Sequence, residues 1–218
     1  MVRGVQERSE RTRERLVHAG AELFHRHGYA NASLSGIAAA AGVTKGALYF
    51  HFTSKEDLAH AVLRRGHDLL DGAVAELRAA GVSPLQSLID LTYWLARTLQ
   101  EEPAVRAGFR IARERAGHLP PAGDLHGVWI RTVWELLRQA REAGELRLRP
   151  RPEGPETLVA AAVCVIEVMS QTAMPYAELR HRVGALWDLT VPSLVPPGAP
   201  AVRTWPHAEY AAQGMWAV

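Results

Sequence analysis

Apolar residues recur at helical spacing along most of the chain, and the clearest case is the stretch 34–52. Its first half has an apolar face whose members are three and four residues apart: Ile37, Ala38 and Ala41. Side chains with that spacing share one face of an α-helix. Gly42 then permits the left-handed backbone that closes a helix, and Thr44 supplies a hydroxyl that caps the next one. The pattern predicts two short helices about a tight turn.

The second short helix separates its side chains into two groups. One group is apolar and is expected to be buried: Ala47, Leu48 and Phe52. The other group is small, basic or aromatic and is expected to face outward: Thr44, Lys45, Gly46, Tyr49 and His51. A helix pair with an apolar back, a glycine turn and such an outer face is typical of the helix-turn-helix that enters the DNA major groove. An ordinary helical hairpin is the alternative interpretation.

Longer helical stripes occupy most of the remaining chain. We predict further helices at 9–27, 55–81, 83–100, 103–115, 125–143, 155–173 and 176–190. Ser33 and Ser54 are the expected capping residues of the helices that follow them, and Ser33 is also placed to meet a phosphate if DNA lies beside it. The fold class is therefore predicted to be all-α, with a three-helix helix-turn-helix domain at 1–54, a second helical domain at 55–195 and a proline-rich tail at 196–218. The tail is expected to lie on the surface, with three aromatic residues able to dock: Trp205, Tyr210 and Trp216.

The predicted helix 155–173 is apolar nearly all round, so it must be covered on more than one side. We expect one face to pack inside its own domain: Leu158, Ala162, Val165, Met169 and Thr172. The opposite face is then left for a partner: Val159, Val163 and Ile166. Together with the helix 176–190 this surplus predicts a two-fold dimer built as a four-helix bundle. Two reading helices would then meet half-sites about 34 to 36 Å apart.

Composition narrows the class of protein without identifying it. The chain has 218 residues, of which 48% are hydrophobic, so it can bury a sizeable core. Its formal net charge of +2 and pI near 8.9 are only mildly basic, and charge alone does not indicate a nucleic-acid binder. No run reaches the roughly 18 apolar residues of a membrane span, and the amino end is too charged for a signal peptide. We therefore expect a cytoplasmic protein.

Two smaller features keep alternatives open. Five arginines crowd the amino end: Arg3, Arg8, Arg11, Arg13 and Arg15. They form either a solvated helix start with ion pairs or an arm near phosphates. Cys164 lies in the apolar run VCVI and is expected to be a small core residue rather than a redox group.

Catalytic and metal-binding motifs are missing from the sequence. We find no nucleophile elbow, phosphate loop, dinucleotide fingerprint or metal-spaced cluster of histidines and acidic residues. The sequence therefore predicts neither an enzyme nor a cofactor or metal site.

The helix-turn-helix stretch resembles a known family. The residues from Leu34 to Leu58, with GVTKGALYFHFTSKEDL at their centre, look like the DNA-binding domain of the TetR family of repressors. The resemblance rests on residues at the family's spacing: Gly42, Lys45, Gly46, Tyr49, Phe52, Lys55, Glu56 and Leu58. It implies that Lys55 contacts the DNA backbone. With it, the expected DNA-binding set is Ser33, Thr44, Lys45, Gly46, Tyr49, His51 and Lys55.

A narrower resemblance covers both halves of the chain. The segments 49–63 and 136–146, together with Trp129, are similar to the γ-butyrolactone receptor branch of the TetR family from actinomycetes. The resemblance implies that Trp129 covers a signalling lactone in a mostly apolar cavity, although a core tryptophan is the alternative. The expected ligand-binding set is Trp129, Leu88, Thr92, Val133, Val165 and Thr172. Gly66 stands where such receptors often carry a polar side chain, so the identity of the ligand stays open.

These observations predict a dimeric repressor that binds a pseudo-palindromic operator and is released by a small apolar molecule. The domain 55–195 would then bind the ligand and form the dimer. A helix-turn-helix regulator without a small-molecule switch is the alternative, and action as an activator is compatible with the same residues.

Overall fold

A computed structural model describes residues 2–115, 124–147, 153–172, 174–198 and 202–206 of the chain. All regular secondary structure in these residues is α-helical, so the predicted all-α class is confirmed. The helices are α1 (Val2–Asn31), α2 (Leu34–Ala40), α3 (Lys45–His51), α4 (Lys55–Ala79), α5 (Pro84–Glu101), α6 (Pro103–Glu114), α7 (Leu125–Glu142), α8 (Glu153–Ser170) and α9 (Tyr176–Leu194). Among them, no helix combines the length and the apolar character that crossing a membrane requires.

The chain divides into two compact units. The head unit comprises Met1–Leu69 and Glu102–Val128, and the body unit comprises Leu70–Glu101 and Trp129–Val218. The first boundary lies after Leu69 instead of after residue 54, and the head unit also includes the later segment Glu102–Val128. The difference arises because α6 and the first part of α4 share one core with α1, α2 and α3.

Helix α1 extends further toward the amino end than the periodicity predicted. It begins at Val2 instead of residue 9, and its regular part is interrupted at Gly28, where φ is 81° and ψ is 159°. Glycine suits that position because a side chain strains a left-handed backbone. A last short turn then runs to Asn31, so Gly28 ends the long helix as predicted but does not end all helical structure.

The core of the head unit collects the apolar faces of its helices. Leu16 and Phe24 of α1, Ile37 of α2, Leu48 of α3 and Leu58 of α4 are fully buried there. This burial follows the sequence pattern, since each helix turns its apolar stripe inward.

The body unit buries α5 on nearly all sides. A polar pair lies inside it, where the indole Nε1 of Trp187 in α9 donates a hydrogen bond to Thr92 Oγ1 at 2.8 Å. The Thr92 hydroxyl in turn donates to the Ile89 carbonyl at 2.7 Å. The pair ties α5 to α9 and leaves both buried side chains bonded, as an apolar interior requires.

The predicted inner and outer faces of α8 differ from the observed ones, although Ala162 is buried as predicted. Val159, Val163 and Ile166 are buried, whereas Val165 is 53% exposed and Thr172 is exposed. The prediction was wrong because a helix that is apolar all round offers no periodic signal for its inner side. Cys164 lies on the outer side as well and is exposed, so its prediction as a core residue was also wrong.

The segment 202–206 docks onto α5 and α9. The hydroxyl of Tyr93 donates to the Thr204 carbonyl at 2.6 Å, and the Arg203 N–H donates to Gln86 Oε1 at 2.9 Å. Trp205 stacks on Tyr93 with ring centroids 6.3 Å apart. Trp205 therefore docks, as the sequence allowed, whereas Tyr210 and Trp216 lie outside the described residues.

Candidate DNA-reading surface and sensor core

The turn between α2 and α3 is built by residues that the sequence had indicated. Ser33 Oγ accepts from the Gly36 N–H at 3.1 Å, and Thr44 Oγ1 accepts from the Ala47 N–H at 3.1 Å. Gly42 adopts the predicted positive φ of 63°. Each short helix thus starts on a side-chain cap, which satisfies N–H groups that have no partner within the helix.

Two arginines of α1 contact this turn and the end of α3. Arg15 donates to the carbonyl of Ala41 and, more weakly, to that of Gly42. The guanidinium of Arg13 lies over the ring of Phe52, 5.5 Å from its centroid. Cations at the end of α2 and over an aromatic face are both stabilising placements. Arg13 and Arg15 therefore stabilise the helix-turn-helix motif. Their positions are explained without the alternative interpretation of an arm near phosphates.

The outer side of α3 carries the residues expected to meet DNA. Thr44, Lys45 and Gly46 are exposed, Tyr49 is 55% exposed and His51 is half-buried. Of the residues predicted to be buried, Leu48 and Phe52 are buried, whereas Ala47 is only half-buried. A lysine, a phenol and an imidazole on one short helix can bond phosphate oxygens and base edges.

Sequence reasoning missed Phe50, whose side chain is 81% exposed on this helix. Its ring meets His51 edge to face, with centroids 5.1 Å apart. The signal was present, because Phe50 follows Gly46 by four residues and so shares its face of the helix. An exposed aromatic ring there can make apolar contact with a thymine methyl group.

Lys55 has a different environment from the one expected. Its ammonium donates to three carbonyls at and just after the end of α1, those of Tyr29, Ala30 and Ala32, at 2.8, 2.9 and 3.2 Å. It also lies 4.7 Å from the centroid of the Tyr29 ring. An ammonium group has three N–H donors, so all of them are directed inward. In this structure Lys55 caps α1 rather than presenting a donor to a phosphate.

Trp129 of α7, the main residue of the expected ligand-binding set, is 1% exposed. Its ring stacks on Trp94 of α5, with centroids 6.2 Å apart and planes 8° from parallel. Its indole Nε1 has no hydrogen-bond partner among the residues that the structure describes. Buried indole N–H groups usually find an acceptor, so the missing acceptor of Trp129 is an unusual feature of this core.

The other expected ligand residues divide into two groups. Leu88, Thr92 and Val133 are fully buried in the body unit with Trp129. Val165 and Thr172 are exposed on the outer side of α8, and the Thr172 hydroxyl donates to the Met169 carbonyl at 2.7 Å. The first group is therefore buried in the same unit as Trp129, whereas Val165 and Thr172 are exposed and do not have the enclosed placement expected of them.

An apolar groove of about 450 Å³ runs between α8 and α9 on the outer side of the body unit. Its lining includes Leu158, Val165, Met169, Leu186 and Leu189. The lining contains one charged residue, Arg182. An exposed apolar groove is a typical site of association. The surplus apolar surface expected on these two helices is therefore present, although it includes Val165, which was predicted to face inward.

No cluster of three or more histidine, cysteine or acidic side chains is placed to hold a metal ion within the described ranges.

The features described above are a capped reading motif and a buried aromatic pair, both in an all-helical chain. This construction defines a helix-turn-helix DNA-binding protein.

Residues 16–62 match the family model described as bacterial regulatory proteins, tetR family. The chain is also 34% identical over 195 residues to the A-factor receptor protein of Streptomyces griseus, which covers 88% of this chain and 67% of the relative. This chain belongs to the TetR family of bacterial regulatory proteins. The resemblance found in the sequence is thereby confirmed, and the chain is a DNA-binding transcription regulator.

Solved structures agree over nearly the whole length. A γ-butyrolactone receptor described as ArpA-like superposes with a TM-score of 0.74 at 31% identity, covering 96% of both chains. CprB of Streptomyces coelicolor, in complex with its biological operator sequence, gives a TM-score of 0.69 at 33% identity, covering 87% of this chain and 91% of that one. The similarity to the γ-butyrolactone receptor branch therefore holds in structure as well as in sequence.

Proposed function

We propose that the protein is a homodimeric repressor whose hold on a pseudo-palindromic operator is released by a small, mostly apolar ligand of the γ-butyrolactone class. The exposed face of α3 reads the operator, and the buried aromatic pair receives the ligand. The proposed contacts to DNA come from Thr44, Lys45, Gly46, Tyr49 and His51, with Ser33 close to the backbone of the duplex.

The observation that carries the ligand proposal is the unpaired indole N–H of Trp129. A buried donor without an acceptor costs about 1–3 kcal/mol. A ligand that places an acceptor at this N–H would remove that cost. A lactone offers a carbonyl acceptor on an otherwise apolar body, which matches one N–H group in an apolar core. The relatives described as γ-butyrolactone receptors support this chemistry.

One observation favours a regulator without a small-molecule switch. Thr92 and Leu88 are fully buried, and the Thr92 hydroxyl is already bonded to Ile89 and Trp187. A core that is filled in this way would leave no volume for a ligand. The two functions differ in whether anything binds beside Trp129, which is directly measurable.

The proposed dimer follows from the groove between α8 and α9. A second copy that lays the same two helices into it would form a four-helix bundle with two-fold symmetry. Dimerisation also raises operator affinity, because two short reading helices then meet two half-sites at once.

The energy needed for release is modest. A ligand shifts the operator equilibrium only by its preference for the released state, and each tenfold loss of affinity requires about 1.4 kcal/mol. Burial of a few methylene groups contributes about 0.8 kcal/mol each. A lactone with a medium-length acyl chain therefore supplies enough for release when its chain is buried only in the released state.

A mobility-shift assay on DNA from upstream of the protein's own gene and its neighbours tests the proposal, with and without synthetic acyl-γ-butyrolactones. We expect specific binding that a lactone relieves. Trp129→Phe keeps the ring but removes the N–H, so it should bind operator normally and require roughly 5–30 times more lactone for release.

Trp134→Phe is the matched control, because Trp134 lies on the same helix but is 50% exposed. It should respond to lactone as the parent chain does. Specific operator binding that no lactone relieves would favour the regulator without a switch. The absence of specific binding to any duplex would contradict the proposal as a whole.

A further inference from the structure

The charged side chains near the amino end of α1 form two stripes along the helix. The basic stripe consists of Arg8, Arg11 and Arg15, which follow one another at intervals of three and four residues and so share one face of the helix. The acidic stripe has the same intervals and consists of Glu7, Glu10 and Glu14. Because the stripes are offset by one residue and a turn has about 3.6 residues, they lie about 100° apart around the helix axis. This part of α1 is nearly balanced in charge as a whole, but its two faces are not.

The acidic stripe borders a groove of the head unit. Glu10 and Glu14 line this groove, which has a volume of about 550 Å³, together with Arg64 and Arg65 of α4. Glu10 also lies 3.8 Å from the guanidinium of Arg13, another residue of the lining. Opposite charges that share a groove weaken each other's field. Two of the three glutamates therefore have cations close by that do not belong to the basic stripe.

The basic stripe faces solvent, and all three of its side chains are exposed. Within the described part of the chain, Arg8 and Arg11 have no ion-pair partner, although Glu7 is placed four residues before Arg11. Exposed guanidinium groups on one face of a helix create a positive potential that attracts a polyanion. The basic stripe is therefore the surface of α1 that is available to a negatively charged partner.

Arg15 fixes the position of the basic stripe relative to the reading motif. Its guanidinium donates to carbonyls of the turn between α2 and α3, including that of Gly42. Gly42 lies three residues before Lys45, where α3 begins. A helix rises about 1.5 Å per residue, so Arg11 and Arg8 follow about 6 Å and 10 Å further along α1. The basic stripe thus starts beside the turn that leads into the reading helix and continues toward the amino end.

Duplex DNA has the charge and the spacing that fit this stripe. The major groove that admits a reading helix is about 12 Å wide, and phosphates of both strands border it. The duplex carries about one negative charge for every 1.7 Å of its axis, so a row of cations about 10 Å long is matched by several phosphates. Arginine suits this role because its planar guanidinium can bond a phosphate through two N–H groups. We propose that Arg8 and Arg11 bind backbone phosphates that flank the half-site read by α3.

This inference rests on the proposed function, because it requires α3 to lie in the operator, and it adds DNA outside the half-site to the contacts. Phosphate contacts position a protein on the duplex but carry no sequence information. The contribution of Arg8 and Arg11 should therefore depend on duplex length and salt concentration and not on the flanking sequence. Because α1 begins at Val2, both arginines belong to a regular helix and keep a fixed spacing, which favours binding over that of a flexible arm.

The first experiment measures operator affinity by fluorescence anisotropy on two duplexes. Both contain the operator found in the mobility-shift assay, and the longer one has about ten additional base pairs on each side, close to one helical turn. On the long duplex, Arg8→Gln combined with Arg11→Gln should lower the affinity about tenfold or more. The slope of log affinity against log salt should fall by about 0.9 for each lost phosphate contact. On the trimmed duplex the parent should lose the same contribution, so that the two proteins bind alike.

Arg64→Gln combined with Arg65→Gln is the matched control, because it removes two charges from exposed residues of α4 in the same unit. It should keep the parent slope on both duplexes. Arg8→Lys combined with Arg11→Lys retains the charges but not the planar guanidinium, so it should keep the slope and most of the affinity. Glutamine and lysine are good helix formers, so circular dichroism should show the parent helix content in all three variants.

Hydroxyl-radical footprinting locates the contacts on the DNA. The parent should protect sugars outside each half-site, and this protection should disappear in Arg8→Gln with Arg11→Gln while protection within the half-site remains. An equal loss of affinity in the control pair would indicate a general effect of charge and would overturn the inference. A loss that persists on the trimmed duplex would overturn it as well. A parent protein without specific binding to any duplex would instead contradict the proposed function, so the two failures are distinguishable.

Discussion

The two helix pairs that carry the proposed function differ in how their surfaces are marked. In α2 and α3 the buried side is apolar, and the exposed side is polar apart from Phe50 and two alanines, Ala39 and Ala40. In α8 both sides are apolar, with Val163 buried and Val165 53% exposed. The surface of α2 and α3 is therefore suited to a charged polymer, whereas the surface of α8 and α9 is suited to a second apolar surface.

The difference extends to the way each pair is held. The reading pair adds polar contacts to its buried apolar side, namely the caps from Ser33 and Thr44 and the Arg15 contact to the turn. The outer pair of the body unit depends on burial of aliphatic residues such as Val159 and Leu179. Substitutions should therefore affect DNA binding at the first pair and association at the second, and the following predictions test that division.

The largest effect is expected for Lys45→Ala combined with Tyr49→Ala. Loss of two contacts at about 1–3 kcal/mol each should reduce operator affinity by about 100-fold or more. Fluorescence anisotropy measures the affinity, and circular dichroism should show an unchanged helix content. Arg65→Ala, which removes an exposed charge from α4, is the control and should retain binding.

The second effect is expected for Val165→Glu in the groove of the body unit. Arg182, the one cation of the groove lining, is already paired with Glu178 at 2.7 Å, and burying a further carboxylate in an apolar interface costs several kcal/mol. Sedimentation should therefore show monomers, and operator affinity should fall by at least about tenfold. Trp134→Glu changes another exposed apolar residue outside the groove and should remain dimeric. A dimeric Val165→Glu variant would place the interface elsewhere.

A third prediction concerns Lys55, for which the structure and the family resemblance differ. Lys55→Met removes three bonds to the end of α1, so the free energy of unfolding should fall by about 1–3 kcal/mol. The salt dependence of operator binding should keep its slope, whereas Lys45→Met should reduce the slope by about one for each lost phosphate contact. A lower slope for Lys55→Met with unchanged stability would favour the phosphate role.

The smallest effect is expected for Gly184→Ala, beneath the docked segment 202–206. The new Cβ would lie 2.9 Å from the Trp205 ring and 3.0 Å from the Tyr93 hydroxyl. Burial raises the pKa of Tyr93, so its hydroxyl stays a donor to Thr204 at neutral pH. Displacing the segment should cost roughly 1 kcal/mol and expose Trp205, which thermal unfolding and fluorescence quenching measure. Gly154→Ala, with nothing near its Cβ position, should change neither.

The sequence alone determined the all-α class, the order of the helices and the reading face of α3. It could do so because those helices are amphipathic and because caps and the Gly42 turn are encoded within a few residues. The same local signals identified Thr44, Lys45 and Tyr49 as outward residues. Trp129 was placed inside by its stripe on α7.

Only the tertiary structure decided the inner face of α8, the environment of Lys55 and the packing of Leu125 against Gly66 and Gly108. The apolar pattern of α8 is compatible with either face, so the contacts that it makes select one. Lys55 meets carbonyls that are 23 to 26 residues away in the chain. Gly66 and Gly108 meet Leu125 only when α4, α6 and α7 are assembled. Contacts between distant residues leave no periodic mark on the sequence.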